Sequence, residues 1–264
     1  MADHNNRFSS RLTFLLSALG IAVGTGNIWR FPRIVASNAG EEGAGAFLVA
    51  WITFLFLWSI PLIIVEYIMG RQSRMGTIGA FANFMGKPFA FLGGFVGFVS
   101  TAIAFFYSVI VGWNIYYFGI ITFTDLPQTN QASLMLWSSF QDSLFPILFH
   151  GVAMTVGGLA IYKGVSSIEK VNKVLIPVLL GIVMLSVLRA ISLPGSFEGI
   201  SYLFTPDWSQ LKRPGIWVDA LAQNAFDTGA GFGLFLTYAI YIKKRYGVVK
   251  NAFTTAIGNN LVSM

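Results

Sequence analysis

The residues that could do chemistry in this chain are polar groups set inside long apolar runs. Asn27 and Arg30 lie in Gly20-Ile21-Ala22-Val23-Gly24-Thr25-Gly26-Asn27-Ile28-Trp29-Arg30-Phe31-Pro32. Asp227 lies in Phe226-Asp227-Thr228-Gly229-Ala230-Gly231-Phe232-Gly233. Glu66 follows Ile63-Ile64-Val65, and Tyr107 follows Ala104-Phe105-Phe106. Such side chains are costly in hydrocarbon and point to function by default. The glycines beside Asn27 and Asp227 predict two helices that break at membrane depth. A broken helix frees backbone groups, tolerated there only if they are buried in protein or line a cavity. Freed carbonyls suit a hard cation, and freed amides suit a carboxylate. Glu66 could accept from such amides, or it could snorkel to a membrane surface. Gly20 and Gly24 could instead form a close-packing GxxxG pair, which leaves Asn27 and Arg30 unexplained.

Other chemistries are excluded. Asp227-Thr228-Gly229 spells the aspartic-protease triplet, but that reaction needs two carboxylates sharing a proton, and the flanks read as a membrane helix. The 264 residues include no Cys and two His, which removes thiol chemistry and leaves little for a zinc or haem site. No His/Glu ligand cluster supports a metalloenzyme. The net charge of +6 does not indicate nucleic acid, because the basic residues sit in short clusters between apolar runs.

The elements that must position these residues are membrane helices. The chain is 55% hydrophobic and 11% charged, against about 25% charged for a soluble domain. A bilayer needs about 20 apolar residues per helix. The apolar runs predict spans over 12–36, 45–69, 89–121, 145–162, 174–191 and 216–242, with a seventh starting at Val248. Residues 1–10 are polar and predict no cleavable signal. Of the 17 Lys and Arg, those at the N-terminus and after spans two, four and six form the majority. Positive charge marks the cytoplasm, so the N-terminus is expected inside. Segments 122–144 and 192–215 then lie outside, with amphipathic or turn-like patterns.

The string Gly24-Thr25-Gly26-Asn27-Ile28-Trp29-Arg30-Phe31-Pro32 resembles the neurotransmitter:sodium symporter family, in its bacterial amino-acid branch. The resemblance continues through Gly45-Ala46-Phe47, Pro61 to Arg71, Lys163-Gly164-Val165, Thr205-Pro206-Asp207, Pro214-Gly215-Ile216-Trp217 and Gly231-Phe232-Gly233. It implies an all-α membrane protein with an inverted-repeat sodium-symporter fold, broken in helices one and six, about twelve helices long when whole. On that pattern 1–11 is a cytoplasmic segment, 12–191 the first five-helix repeat, 192–215 an extracellular loop and 216–264 the start of the second repeat. The sequence then reads as the N-terminal part of a transporter. The alternative is a truncated, non-transporting membrane homologue or assembly subunit.

The resemblance also implies roles. One sodium ion would take Ala22, Asn27, Asp227 and Asn259, and a second Gly20 and Val23. The substrate carboxylate would meet the amides around Thr25 and Gly26, a sodium ion and Tyr107. Ile103, Phe226, Gly229 and Phe232 would shape the side-chain pocket. Arg30 would be an outer-gate residue, with Phe106 and Phe232 as an aromatic lid. The expected partners are a neutral, hydrophobic amino acid, one or two sodium ions and the lipid of a plasma membrane, with no nucleic acid and no enzymatic reaction. Gly24 occupies the position where amine transporters carry an Asp. The sequence departs from the family pattern at the inner gate and at Asp227: Asp227 replaces a Ser or Thr, Ile21 an Asn, Phe8 a Trp and Trp51 a Tyr, while Arg7 is displaced from the inner-gate position. Ser263, Gln223 and Asn259 could line a chloride site. A carboxylate at Asp227 would bring the negative charge covalently, so chloride is not expected.

Overall fold

In the computed structural model, residues 7–24, 26–243 and 245–264 are described. Among them there is no strand, and the order is α1 (Arg11–Ala22), a π-turn (Gly26–Arg30), α2 (Phe31–Ser37), α3 (Gly45–Phe54), a second π-turn (Leu55–Ser59), α4 (Ile60–Ser73), α5 (Thr77–Met85), a 3-10 turn (Lys87–Phe89), α6 (Ala90–Phe123), α7 (Asn130–Gln141), α8 (Phe145–Ile161), α9 (Val165–Ile191), α10 (Ser196–Phe204), a 3-10 turn (Trp208–Lys212), α11 (Pro214–Thr228), α12 (Leu234–Ala239) and α13 (Val248–Ser263). Among the described residues three helical stretches, Gly45–Ser73, Lys87–Phe123 and Val165–Ile191, are long and apolar enough to cross a membrane. Arg11–Ala22 and Gly26–Ser37 pass the same test as one span bent by 50°.

The ends of the elements follow from local chemistry. Ser10 caps α1 in a capping box, its hydroxyl accepting from the Thr13 N–H, which satisfies an orphan amide of the first turn. The first span breaks after Ala22. The sixth breaks after Thr228, and Gly229, Gly231 and Gly233 all take positive φ, at 66°, 94° and 72°. Only glycine adopts that region without steric cost, so three of them in five residues end α11 and reset the direction of α12. The break therefore runs two residues past the expected Gly229–Gly231, to Gly233.

Two apolar cores lie on either side of the breaks. One joins α1, α4, α12 and α13 through Phe8, Phe14, Ile63, Tyr67, Phe235 and Ala252. The other joins α2, α3 and α11 through Phe31, Phe47, Trp51, Ile216 and Ala220. By contrast α8 and α9 present rows of exposed apolar residues, among them Leu148, Leu159, Val178 and Leu185. A polar extension of α9, Val165–Lys173, lies outside the expected span 174–191. Its Glu169 accepts from the Ser9 N–H and hydroxyl at 2.8 Å each and from the Thr13 hydroxyl, tying the N-terminal segment to α9. On the opposite side, Asp207 accepts from the Ser209 N–H (3.1 Å) and hydroxyl (2.6 Å). The Ser209 hydroxyl bond holds the Asp207 carboxyl below its ordinary range.

Candidate functional site

The two breaks meet α6 around a cavity of about 650 Å³. That lies within the usual size range of small-molecule sites. It is lined by Ala22, Gly26, Ile103, Phe106, Tyr107, Phe226, Asp227, Gly229 and Phe232, together with Gly20 and Val23. The structure thus brings together the residues expected for substrate, apart from Thr25, which lies outside the described residues. Phe98, Val99, Ala102, Val111 and Leu234 also line it and were not anticipated. The first three and Val111 lie a helical turn or two from Ile103 and Tyr107 on α6, so the 3.6-residue period was the signal that could have found them.

Most of the cavity lining is apolar and aromatic. Tyr107 stacks on Phe226 at 6.2 Å and 29°, and the Arg30 guanidinium lies 4.9 Å from the Phe226 ring centre. The ring that meets Phe106 is Tyr107, at 5.9 Å. Phe232 is held instead through its carbonyl, which accepts from the Ser100 hydroxyl. Gly26 is needed for close approach, since a Cβ there would stand 3.1 Å from the Phe226 ring. Gly20 does not pair with Gly24 in packing: a Cβ at Gly20 would meet Ile176 and Asn172 of α9, whereas Gly24 has open space beside it.

At Asp227 the cavity wall belongs to a buried polar cluster whose other members stand behind it. Asn27, Gln223, Asp227 and Asn259 are each at most 3% exposed. The Asn27 amide donates to Asn259 Oδ1 and Ser263 Oγ, both at 2.8 Å, while its oxygen accepts from the Gly24 N–H at 2.8 Å. Gln223 bridges the breaks, its Nε2 donating to the Gly26 carbonyl (3.2 Å) and to Asp227 Oδ2 (3.3 Å). Its Oε1 accepts from Arg30. Gln223 was considered only as an anion ligand; its position one turn before Asp227 was the signal for this second role. Asp227 Oδ1 is buried and finds no donor among the described residues. A buried carboxylate oxygen without a partner is costly unless a cation meets it. The donor set is all oxygen, as a hard cation requires, and no cluster of three His, Cys, Asp or Glu competes with it among the described residues.

Glu66 lies 7% exposed on α4, beneath the second break. Its Oε1 accepts from the Gly231 N–H at 2.6 Å and the Gly233 N–H at 3.2 Å, and its Oε2 from the Leu236 N–H at 3.0 Å. These are amides left without intrahelical partners where α12 starts. At the far end of α12, Arg74 donates to the carbonyls of Ile240 and Ile242, the latter at 2.8 Å. A carboxylate at the N-terminus and a guanidinium past the C-terminus complement the helix dipole. Glu66 stands on α4 and Arg74 is the residue that caps its C-terminus, and Gly70 between them leaves room for the Leu236 carbonyl.

Comparison with known proteins agrees with this geometry. The profile described as the sodium:neurotransmitter symporter family matches residues 5–143 and 131–264. A sodium-dependent transporter of Methanocaldococcus jannaschii is 32% identical over 262 residues, covering 96% of this chain and 52% of its own. The sodium-dependent neutral amino acid transporter B(0)AT3 of Rattus norvegicus is 29% identical, with 99% and 46% covered. The crystal structure of MhsT in complex with L-phenylalanine superposes with a TM-score of 0.81 at 31% identity, over 98% of this chain and 59% of that one. The chain therefore spans about half the length of the relatives it matches.

Proposed function

The chain belongs to the sodium:neurotransmitter symporter family, whose members are transporters rather than enzymes, and from that premise we propose that it serves sodium-coupled symport of a neutral, hydrophobic amino acid as the N-terminal part of a longer transporter. The observation that carries this reading is the cavity at the two breaks. Its one acidic lining residue, Asp227, has an unpartnered oxygen and belongs to the buried polar cluster of Asn27 and Asn259, and the rest of its lining offers aromatic and aliphatic walls. Sodium would be held by Ala22, Asn27, Asp227 and Asn259, with Gly20 and Val23 available to a second ion. Tyr107 and the Gly26 amide would orient the substrate carboxylate, as would Thr25. Ile103, Phe226, Gly229 and Phe232 would take the side chain, with Arg30 and Phe106 on the outer approach. Residues 12–191 would form one five-helix repeat and 216–264 the beginning of its inverted mate. The excess of Lys and Arg on one set of loops puts the N-terminus in the cytoplasm of a cell bounded by a plasma membrane.

The neutral amino acid transporter relative and the phenylalanine complex support the substrate class. Gly24 carries no carboxylate for a monoamine, so a zwitterion whose own carboxylate meets sodium is the better fit. In competition assays on the full-length protein in proteoliposomes, Leu, Met and aromatic amino acids should displace label before Asp, Lys or monoamines. A preference for a monoamine would refute the assignment. Replacing sodium by choline should abolish uptake. Asn27→Leu removes one oxygen from the cation, and a bond to a charged group is worth about 1.5–3 kcal/mol. The sodium concentration for half-maximal uptake should then rise roughly 10- to 100-fold.

A further inference from the structure

Between spans two and three lies α5, a nine-residue helix that no role above employs. Its inner face is already committed. Ala80 is fully buried, Phe81 packs with Met69 and Leu236, and Thr77 lies against Gly93 of α6 and Gly233 at the second break. The outer face cannot turn inward without losing these contacts. Within the helix it carries Ile78, Ala82 and Met85, spaced 4 and 3 residues apart, which is one helix stripe, and exposed Met75 and Phe89 flank the two ends, beyond Gly76 and beyond Gly86, whose φ of 99° closes the helix. Ile78 is 58% exposed and Met85 49%.

Two observations say what covers the stripe. It continues into exposed Phe91, Phe95 and Phe98 at the start of α6, part of a helix apolar enough to cross a membrane. The charge around it is of one sign: from residue 67 to 124 there is no Asp or Glu, and the only cations are Arg71, Arg74 and Lys87. Arg71 and Arg74 donate to backbone carbonyls of the segment after α12, while Lys87 is exposed. An apolar helix face that runs on into a span, with an exposed lysine just past its end, fits a helix lying in the plane of a membrane surface.

We propose that α5 is a membrane-surface helix: its Ile78–Met85 face lies in the cytoplasmic leaflet, with Lys87, just past its end, at the headgroups of anionic phospholipids. The placement in that leaflet rests on the orientation read above. Because Thr77 touches Gly233, the lipid contact bears on the backbone at the second break.

These 264 residues contain no cysteine; with any cysteine in the remainder of the full-length protein replaced by serine, single-cysteine variants can be labelled site by site. Ile78→Cys, Met85→Cys and Asn83→Cys would each carry a fluorophore in nanodiscs, quenched in turn by brominated phosphatidylglycerol, brominated phosphatidylcholine and aqueous iodide. At residues 78 and 85 the brominated lipids should quench several-fold more than at 83, and iodide several-fold less. At equal mole fraction the brominated phosphatidylglycerol should exceed phosphatidylcholine about twofold, an excess that Lys87→Gln removes. Iodide quenching equal at all three sites would overturn the proposal. So would protection at 78 and 85 from both lipid and iodide, since the stripe would then be covered by protein. An equal response to the two lipids would overturn the anionic preference. None of these readouts requires uptake, so a failed transport assay with lipid quenching intact would remove the symporter reading alone. Labelling of residue 78 by an impermeant reagent from outside intact cells would remove the orientation.

Discussion

Uptake by the wild-type protein is expected to be indifferent to replacement of chloride by gluconate, and Asp227→Ser is expected to be inactive or to become chloride-dependent. Sodium buried away from water needs negative charge nearby, because an uncompensated buried charge costs several kcal/mol. Asp227 brings that charge covalently. A carboxylate and a chloride ion about 4 Å apart would repel by about 4 kcal/mol at an effective dielectric near 20, so the site has room for one of them. The donors that could otherwise cradle an anion are engaged: Gln223 Nε2 donates to Asp227, and the Ser263 hydroxyl donates to the Asn259 carbonyl at 3.4 Å. Uptake of labelled substrate across a chloride series, in both proteins, checks this. Strong chloride dependence in the wild type would sink the charge-compensation argument.

The second large effect is expected at Glu66. Glu66→Ala strips the acceptor from the amides of Gly231, Gly233 and Leu236, the last two buried, and a buried amide left unpaired costs about 1–3 kcal/mol. The two buried ones together, about 2–6 kcal/mol, are a large share of the stability of many domains. The variant should fail to accumulate as a monodisperse protein in detergent. Glu66→Gln keeps one acceptor oxygen, enough for Gly231 and Gly233, but turns an NH2 group toward the Leu236 N–H. It should fold with a clearly lowered melting temperature. Thermal unfolding followed by size-exclusion fluorescence separates the three proteins, and identical melting curves would show that the carboxylate does not hold the break.

Both break regions were legible because glycine and an ionisable or amide side chain coincide there, and few physical situations ask for that pair inside an apolar run. The exact span of the second break was not, since Gly233 looked like an ordinary small residue until its positive φ placed it in the turn. The apolar runs of spans two and three matched closely in start and end, because hydropathy reports hydrocarbon contact directly. The same measure hid the first nine residues of α9, where Ser, Glu and Lys continue the helix beyond the apolar region. It also hid α5, whose nine residues are too short for a span and whose stripe needs a helical register to be seen. The π-turn at Leu55–Ser59 leaves no mark in composition. Glu66 stood between snorkelling and amide capture because its partners are 165 residues or more away in sequence, a separation that spacing alone cannot bridge.

That separation has a consequence for how the protein is made. Span two enters the bilayer carrying Glu66 before the residues that satisfy it have been synthesised. At about 5–20 residues per second, Gly231 follows roughly 10–30 s later. For that interval an acidic side chain sits within a membrane segment at a cost of a few kcal/mol, a penalty removed when α12 arrives. A helix of six residues cannot persist alone, so α12 in turn forms only once it docks on α4. Each partner is incomplete without the other, and a nascent chain arrested between them would expose an unpaired carboxylate in the membrane to the cell's quality control.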